Sequence, residues 1–489
     1  MASKSSTEVS SYNRTVLRSA TASRLLLISL IVLWRSVLRP YDTSANINAT
    51  CLSSSAAPSQ IVFPRVAALI ENSIVWDSVY FVRIAQCGYE YEQSYAFLPL
   101  LPICMSTITR TVFLPLVPLF GHRAVLGLSG YVINNIAFIF SALYLYRLSV
   151  VILKDRDAAL RASLLFCFNP ASIFYSSIYS ESLYSLLSLG GLYALLSGAD
   201  NAATLVFSFS GCARSNGVVN AGYICYQTMH RAYRAIFHKK DCRLAVQVLA
   251  VGALRCLCIF VPFIAFQAFG YYNICLGHST DKMRPWCKKR IPLLYNFIQS
   301  HYWGVGFLKY FQLRQLPNFL LASPILFLAL STIFHYVKQR PEVFFSLGLL
   351  QCSNVDEDFQ PKQLAEKEKI VSGSGKSSQE NSVLHKRKQK RQIEDFNVNA
   401  MQHQIADEQE CVPNVILPFV FHLGFMVATA FFVMHVQVST RFLSASPPLY
   451  WFATYIARVS KRWGYMIWAY SAAYILLGSL LFSNFYPFT

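Results

Sequence analysis

The stretch Ser73–Pro99, SIVWDSVYFVRIAQCGYEYEQSYAFLP, places a single early acid, Asp77, beside Trp76 and among aromatic and aliphatic residues. Apolar segments flank it on both sides. A charge held on an apolar face near a membrane is costly and needs a pairing group or a task. From Ile74 to Gln86 the pattern is compatible with a helix that Gly88 ends. On such a helix Asp77 shares a face with Ile74, Tyr80, Phe81 and Ile84, whereas Arg83 points elsewhere. The acid therefore has no partner on its own helix. Either it faces water at a membrane surface, or a group from a distant part of the chain meets it.

The totals favour a membrane setting. Of the 489 residues, 54% are hydrophobic and 14% charged, against about 25% charged in soluble domains. Mean hydropathy is +0.37. Apolar runs recur from Leu25 to Phe485, broken mainly by one polar stretch, which describes a single polytopic all-α domain. The net charge of +19 does not point to nucleic acid. Its basic residues cluster in short connectors between apolar runs, as cytoplasmic loops do. Of the 13 cysteines, many lie inside apolar runs (Cys167, Cys212, Cys256, Cys258) and read as small buried hydrophobes. Cys51, Cys87, Cys275 and Cys287 fall in loops on one side, where they are free to pair. The run LLLISLIVLW ends at Arg35 without a small-residue cleavage site, so it reads as an uncleaved first span.

Spanning windows are expected at Val125–Tyr146, Ala162–Ser176, Leu183–Leu196, Leu244–Phe269, Phe319–Val337, Val415–Val438 and Met466–Phe482. The connectors YRLSVVILKDRDAALR, HRAYRAIFHKKDCR and ARVSKRW, and the region from Lys338 to Cys411, are basic and are placed in the cytosol. That wiring gives about nine to eleven membrane segments, counted by charge bias. It divides the chain into a cytosolic N-terminus (1–23), a first membrane part (24–352) with lumenal loops 41–122 and 270–317, a disordered cytosolic insert (353–410) and a second membrane part (411–489). The insert is rich in Lys, Gln, Glu and Ser and cannot bury enough apolar surface to fold. Ala202–Tyr226 is too short for two spans and reads as two half-length helices around ARSNG.

With this orientation Asp77, Glu181, Arg214 and Arg441 all fall on the lumenal side and are able to converge. Glu181 begins a span after a hydroxyl-rich turn, where it is either a favourable helix N-terminal acid or a site residue. Arg214, followed by Asn216 between two half-helices, has the character of an anion clamp. Arg441 is a second candidate cation, although a juxtamembrane arginine often snorkels. Glu90 and Glu92, interleaved with tyrosines, suit a sugar site as well as an interfacial aromatic belt. The Pro-broken run to Val117 reads as an interfacial helix on the lumenal face. In the second loop Lys282, Arg284, Lys288, Lys289 and Arg290, with Trp286 and Trp303, place positive charge on the side where it is rare, which suits an anionic ligand. His278 and His301 lack metal-ligand spacing, so no metal site is expected. Asn48, in Asn48-Ala49-Thr50, is a candidate glycosylation acceptor in the first lumenal loop.

Several long blocks then line up in order: WDSVYFVRIAQCGYEYEQSYAFLPLLP, FNPASIFYSSIYSESLYSLLSL, ARSNG, LYNFIQSHYWGVGFLKYFQLRQLPNFLLASP, VQVSTRFLSASPPLYWF and the ending SNFYPFT. Together they resemble the PIG-V family, the endoplasmic-reticulum mannosyltransferases that add the second mannose of the GPI anchor. The similarity runs from about Arg24 to the C-terminus, interrupted by the polar insert. The resemblance implies a GT-C glycosyltransferase fold with lumenal loops forming the active site. It implies dolichyl-phosphate-mannose as donor, no further cofactor, and an α-1,6 linkage to the first mannose of a glucosaminyl-inositol phospholipid. Trp76 and Asp77 match the family's first-loop tryptophan–acid motif. Asp77 is then the expected base, Arg214 and the basic loop the expected phosphate partners, and Trp76, Tyr80 and Phe81 packing surfaces for sugar or prenyl chain. An accessory membrane subunit is a further expected partner, and membrane lipids surround the whole. A transferase for another polyprenyl-phosphate-dependent step, or a lipid transporter, would share much of this architecture.

Overall fold

A computed structural model describes residues 2–38, 41, 61–276, 284–349 and 412–486. Asn48, Cys51, His278, Lys282 and the 353–410 insert lie outside the described residues. The chain divides into one unit of Met1–Tyr336 with Pro418–Thr489 and a second of Val337–Leu417. In the second unit the described residues include a short helix, Pro341–Phe345. The first unit holds every site residue described below.

All regular structure among the described residues is helical, which makes the protein an all-α polytopic membrane protein. The helices are α1 (Ala2–Val37), α2 (Pro64–Asn72), α3 (Asp77–Cys87), α4 (Leu100–Arg110), α5 (Val117–Phe120), α6 (His122–Leu153), α7 (Arg156–Cys167), α8 (Ser172–Ser176), α9 (Glu181–Leu196) and α10 (Asp200–Ala213). They continue with α11 (Ala221–Phe237), α12 (Cys242–Cys275), α13 (Leu294–Tyr302), α14 (Leu316–Gln339), α15 (Pro341–Phe345), α16 (Val412–Phe432), α17 (Ser439–Leu443), α18 (Pro447–Val459) and α19 (Lys461–Ser483). Among the described residues, six helices are long and apolar enough to cross a membrane, within α1, α6, α12, α14, α16 and α19. Helices α7, α9, α10 and α11, at 12, 16, 14 and 17 residues, fall short of the roughly 20 a full crossing takes. With the bent pair Leu100–Arg110 and Leu114–Phe120 taken as one span the number is up to seven, fewer than the nine to eleven expected from charge bias.

Local chemistry explains where the sequence reading and the fold part. The window Ala162–Ser176 is not one helix. Helix α7 stops at Cys167 because Pro170 lacks the amide that would continue the ladder, and the Asn169 side chain caps the turn by accepting from the Ala171 amide at 2.8 Å. The run Leu100–Phe120 bends by 72° at its break. One side of its first half packs inward, with Leu101 and Met105 fully buried in a core with Phe81, Val82, Leu126 and Ile178, while Ile103 on another side is exposed. Around ARSNG the two expected short helices are α10 and α11, joined by a 3-10 turn over Ser215–Asn220. Gly217 makes that turn possible, since a Cβ there would lie 2.2 Å from the Ser210 carbonyl.

Helix α1 runs unbroken through position 24, and Arg24 is 2% exposed within it. Its guanidinium donates to the Cys167 carbonyl (3.3 Å), the Ser172 carbonyl (3.0 Å) and the hydroxyls of Ser172 and Ser176. It also lies 3.7 Å from the Phe138 ring centroid. A membrane-buried arginine is tolerated when neutral acceptors fill its donors. Here it stitches together the broken segment that leads to Tyr179 and Glu181.

The basic loop is tied down by Glu92. Its carboxylate accepts from Arg284 Nε at 3.1 Å, from the Trp286 indole at 2.6 Å and from the Tyr302 hydroxyl at 2.6 Å. Trp286 is fully buried with Tyr95, Phe266, Leu294 and Ile298, and a Cys275–Cys287 disulfide closes the same region. Cys87 is also disulfide-bonded. Burial raises the Glu92 carboxyl, but the bonds from Arg284, Tyr302 and Trp286 outweigh it and leave the group below the usual carboxylate range. A depressed folded-state pKa contributes stability above the unfolded value and loses it as pH falls through the folded one. Glu92→Gln should therefore cost about 1–2 kcal/mol at neutral pH. In thermal unfolding of the detergent-solubilised protein, the gap to wild type should close in acid; a gap independent of pH would contradict the lock.

Candidate active site

A cavity of about 210 Å³ lies where the first turns of α3 and α9, the ARSNG turn, the end of α13 and the Met434–Phe442 segment meet. Of the residues singled out from sequence, Asp77, Phe81, Glu181, Arg214, Asn216, Trp303 and Arg441 line it. Its charged groups form an alternating row. Arg441 Nη1 is 3.3 Å from Asp77 Oδ2 and 3.8 Å from Glu181 Oε1, and Arg214 is ion-paired to the same Glu181 oxygen. The partner that Asp77 lacks on its own helix is thus supplied from 364 residues away.

Each charge is fixed by a local feature. Glu181 is the first residue of α9, where the helix dipole favours a carboxylate. Its side chain is 3% exposed, and its oxygens make no well-angled hydrogen bond; the two guanidiniums hold it by charge. It is thus a helix-terminal acid, as one reading of the sequence expected, and it lines the cavity. Arg214 ends α10 with an extended backbone and lies over the Tyr184 ring. Its guanidinium, expected from sequence to clamp an anion, is ion-paired with Glu181. Arg441 packs beside the rings of Phe174 and Tyr179. Burial lowers its pKa, but Asp77 and Glu181 together reverse this and raise it above its ordinary value. Arg441 Nε and, beside the row, Asn216 Nδ2 are buried with no hydrogen-bond partner among the described residues.

The backbone at Trp76 is the unusual feature. The helix expected from Ile74 begins only at Asp77, because Trp76 adopts φ 54° and ψ −130°, a region that costs a bulky residue about 1–3 kcal/mol. Ile74 therefore does not share a helix face with Asp77. The strain is held by the C-terminal segment: the Trp76 indole donates to the Phe482 carbonyl at 3.2 Å, and its ring packs 5.8 Å from Phe485. The Asp77 amide, freed at the helix start, donates to the Tyr179 hydroxyl at 3.1 Å. Burial, and next the Asp77 charge, push Tyr179 well above the usual tyrosine range, so it stays a phenol. Trp76 does not line the cavity; it sets where Asp77 points. Phe485→Ala should lower activity several-fold by loosening Trp76 while leaving the charged row in place, which transfer assays beside thermal unfolding would test.

The remaining candidates take other roles. Tyr80 stacks on Phe97 at 4.6 Å. Glu90 pairs with Arg83 at 2.7 Å, and Glu92 and Trp286 build the lock described above, so none of these lines the cavity. Lys288, Lys289 and Arg290 are exposed, away from the lining. Sequence reasoning missed Tyr179, Tyr295, Gln299 and His435, which do line it. Tyr179 and Tyr295 sit inside quoted blocks, but only the fold shows that Tyr295 meets Ser215 at 2.8 Å. Among the described residues no cluster of three His, Cys, Asp or Glu is arranged to hold a metal ion.

The family model described as mannosyltransferase (PIG-V) matches residues 13–489. The chain is 29% identical over 462 residues to human GPI alpha-1,6-mannosyltransferase 2, covering 90% of this chain and 83% of the relative. It is 27% identical to GPI mannosyltransferase 2 of Drosophila melanogaster (85% and 86% covered) and 31% identical to that of Chaetomium globosum (64% and 73% covered). No solved structure matches. The family model spans the chain from near its first residue to its last, over helices able to cross a membrane: the chain belongs to the PIG-V mannosyltransferase family and is a multi-pass membrane glycosyltransferase.

Proposed function

We propose that the protein transfers mannose from dolichyl-phosphate-mannose to the 6-hydroxyl of the first mannose on a GPI-anchor precursor, at the lumenal face of the endoplasmic reticulum membrane. The single observation that carries this reading is the row Asp77–Arg441–Glu181–Arg214 inside one cavity, in a chain similar to enzymes named for GPI α-1,6-mannosyl transfer. The Cys275–Cys287 disulfide supports a lumenal site, because such bonds persist in oxidising compartments.

Forming an α-linkage from a β-linked mannosyl phosphate requires inversion, hence one displacement through an oxocarbenium-like transition state. The acceptor oxygen gives its proton to Asp77 as it bonds to the mannose C1, and the C1–O bond breaks with its electron pair leaving on phosphate. Arg441 holds Asp77 by Oδ2, while Oδ1 is accessible and without a partner among the described residues. Oδ1 is the atom that takes the proton. The departing phosphate becomes a dianion and needs positive charge more than a general acid. Arg214 and Arg441, the two guanidiniums that line the cavity, supply it.

Reconstitution in proteoliposomes tests the reading directly. Purified protein, radiolabelled dolichyl-phosphate-mannose and a synthetic mannosyl-glucosaminyl-inositol phospholipid should give a dimannosyl product sensitive to an α-1,6-mannosidase. Transfer only to a different acceptor would assign another step, and vectorial movement of lipid without transfer would make the protein a transporter.

A further inference from the structure

We infer that His435 is a further substrate-contacting residue, forming with Trp303 a subsite for one hexose of the reaction; this rests on the mannosyl transfer proposed above. His435 lines the same cavity as the charged row. Its Nε2 lies 2.7 Å from the Trp303 carbonyl oxygen. A carbonyl only accepts, so Nε2 carries the proton, and in the neutral ring Nδ1 is left with its lone pair. Nδ1 has no hydrogen-bond partner among the described residues and is accessible.

The ring cannot readily turn this lone pair away. It stacks on Tyr310 with centroids 4.7 Å apart and planes within 21°. The backbone on either side is zipped together: the Gly306 amide donates to the Val433 carbonyl at 3.1 Å, and the Leu308 amide to the Phe432 carbonyl at 2.7 Å. Trp303, whose carbonyl fixes the imidazole, is itself a wall of the cavity. An indole next to a fixed, uncharged acceptor is the pairing that a neutral sugar requires, a surface for C–H groups and a lone pair for one hydroxyl. The other polar groups around the cavity include the charged row of Asp77, Arg441, Glu181 and Arg214, which suits the reacting atoms and the phosphate. His435 and Trp303 supply uncharged recognition.

Two substitutions separate this role from simple tethering of Trp303. Asparagine places an amide oxygen near the position of Nδ1, whereas glutamine places its amide nitrogen near Nε2. In the proteoliposome assay His435→Gln should keep the bond to Trp303 yet raise KM for one sugar lipid about tenfold. His435→Asn should stay within about threefold of wild type. A change in donor KM assigns the subsite to the transferred mannose, and a change in acceptor KM to the acceptor mannose. Wild-type behaviour of His435→Gln with loss in His435→Asn would overturn the proposal and leave a tether. Equal losses in both, with unfolding temperatures unchanged, would overturn it too. If wild-type protein itself transfers no mannose, the function proposed above fails, and this subsite with it.

Discussion

Asp77→Asn should lower mannose transfer by about 10²–10⁴-fold while leaving the protein inserted and folded. Asparagine keeps the volume of the side chain, and its amide oxygen can still accept from Arg441. Arg441 does not become an unpaired buried cation, because Glu181 remains 3.8 Å away. What disappears is the oxygen able to take a proton. The Asp77 side chain is 36% exposed, the most open of the four charges, as a group that meets an incoming hydroxyl must be. The measurement is transfer rate in proteoliposomes, with thermal unfolding in parallel. Near-normal turnover by Asp77→Asn or Asp77→Ala, in the same assay or as restored surface GPI proteins in deficient cells, would remove Asp77 from the role of base.

Arg441→Met should be the most destabilising single change in the site, by about 3 kcal/mol. Arg441 serves two acids at once, and one of them, Glu181, has almost no access to water. Removing the guanidinium leaves Glu181 with Arg214 alone, and Asp77 with no ion-pair partner among the described residues. The second change Glu181→Gln should recover part of that loss, since it deletes the charge left stranded, but should not recover transfer. Such non-additivity is expected of groups in one network. If Arg441→Met unfolds at the wild-type temperature, or if Glu181→Gln adds its own full cost on top, the four charges are not a coupled row. Arg214→Ala separates the chemistry further. It should weaken use of the lipid donor more than it lowers the unfolding temperature, because Arg214 lines the cavity while Glu181 keeps Arg441 3.8 Å away.

The sequence by itself determined the class of molecule. Apolar runs of spanning length exclude a soluble domain, because that effect depends on composition over a window and not on geometry. It also showed that Asp77 has no local partner, since helical spacing is a local property. Pairing was beyond it. Arg441, Glu181 and Asp77 come from widely separated helix ends, and nothing local to VSTRFL distinguishes a snorkelling arginine from one shared by two acids. In one dimension Glu92 reads as a sugar ligand and Trp286 as part of an anion-binding loop. The fold shows them satisfying each other, because a carboxylate among aromatics is equally suited to either use until its donors are known. The positive φ of Trp76 and the fixed tautomer of His435 are likewise tertiary: one is imposed by the C-terminal Phe482–Phe485 segment, the other by a carbonyl 132 residues away. Local sequence sets which conformations cost little, and only long-range contacts hold a residue in one that costs more.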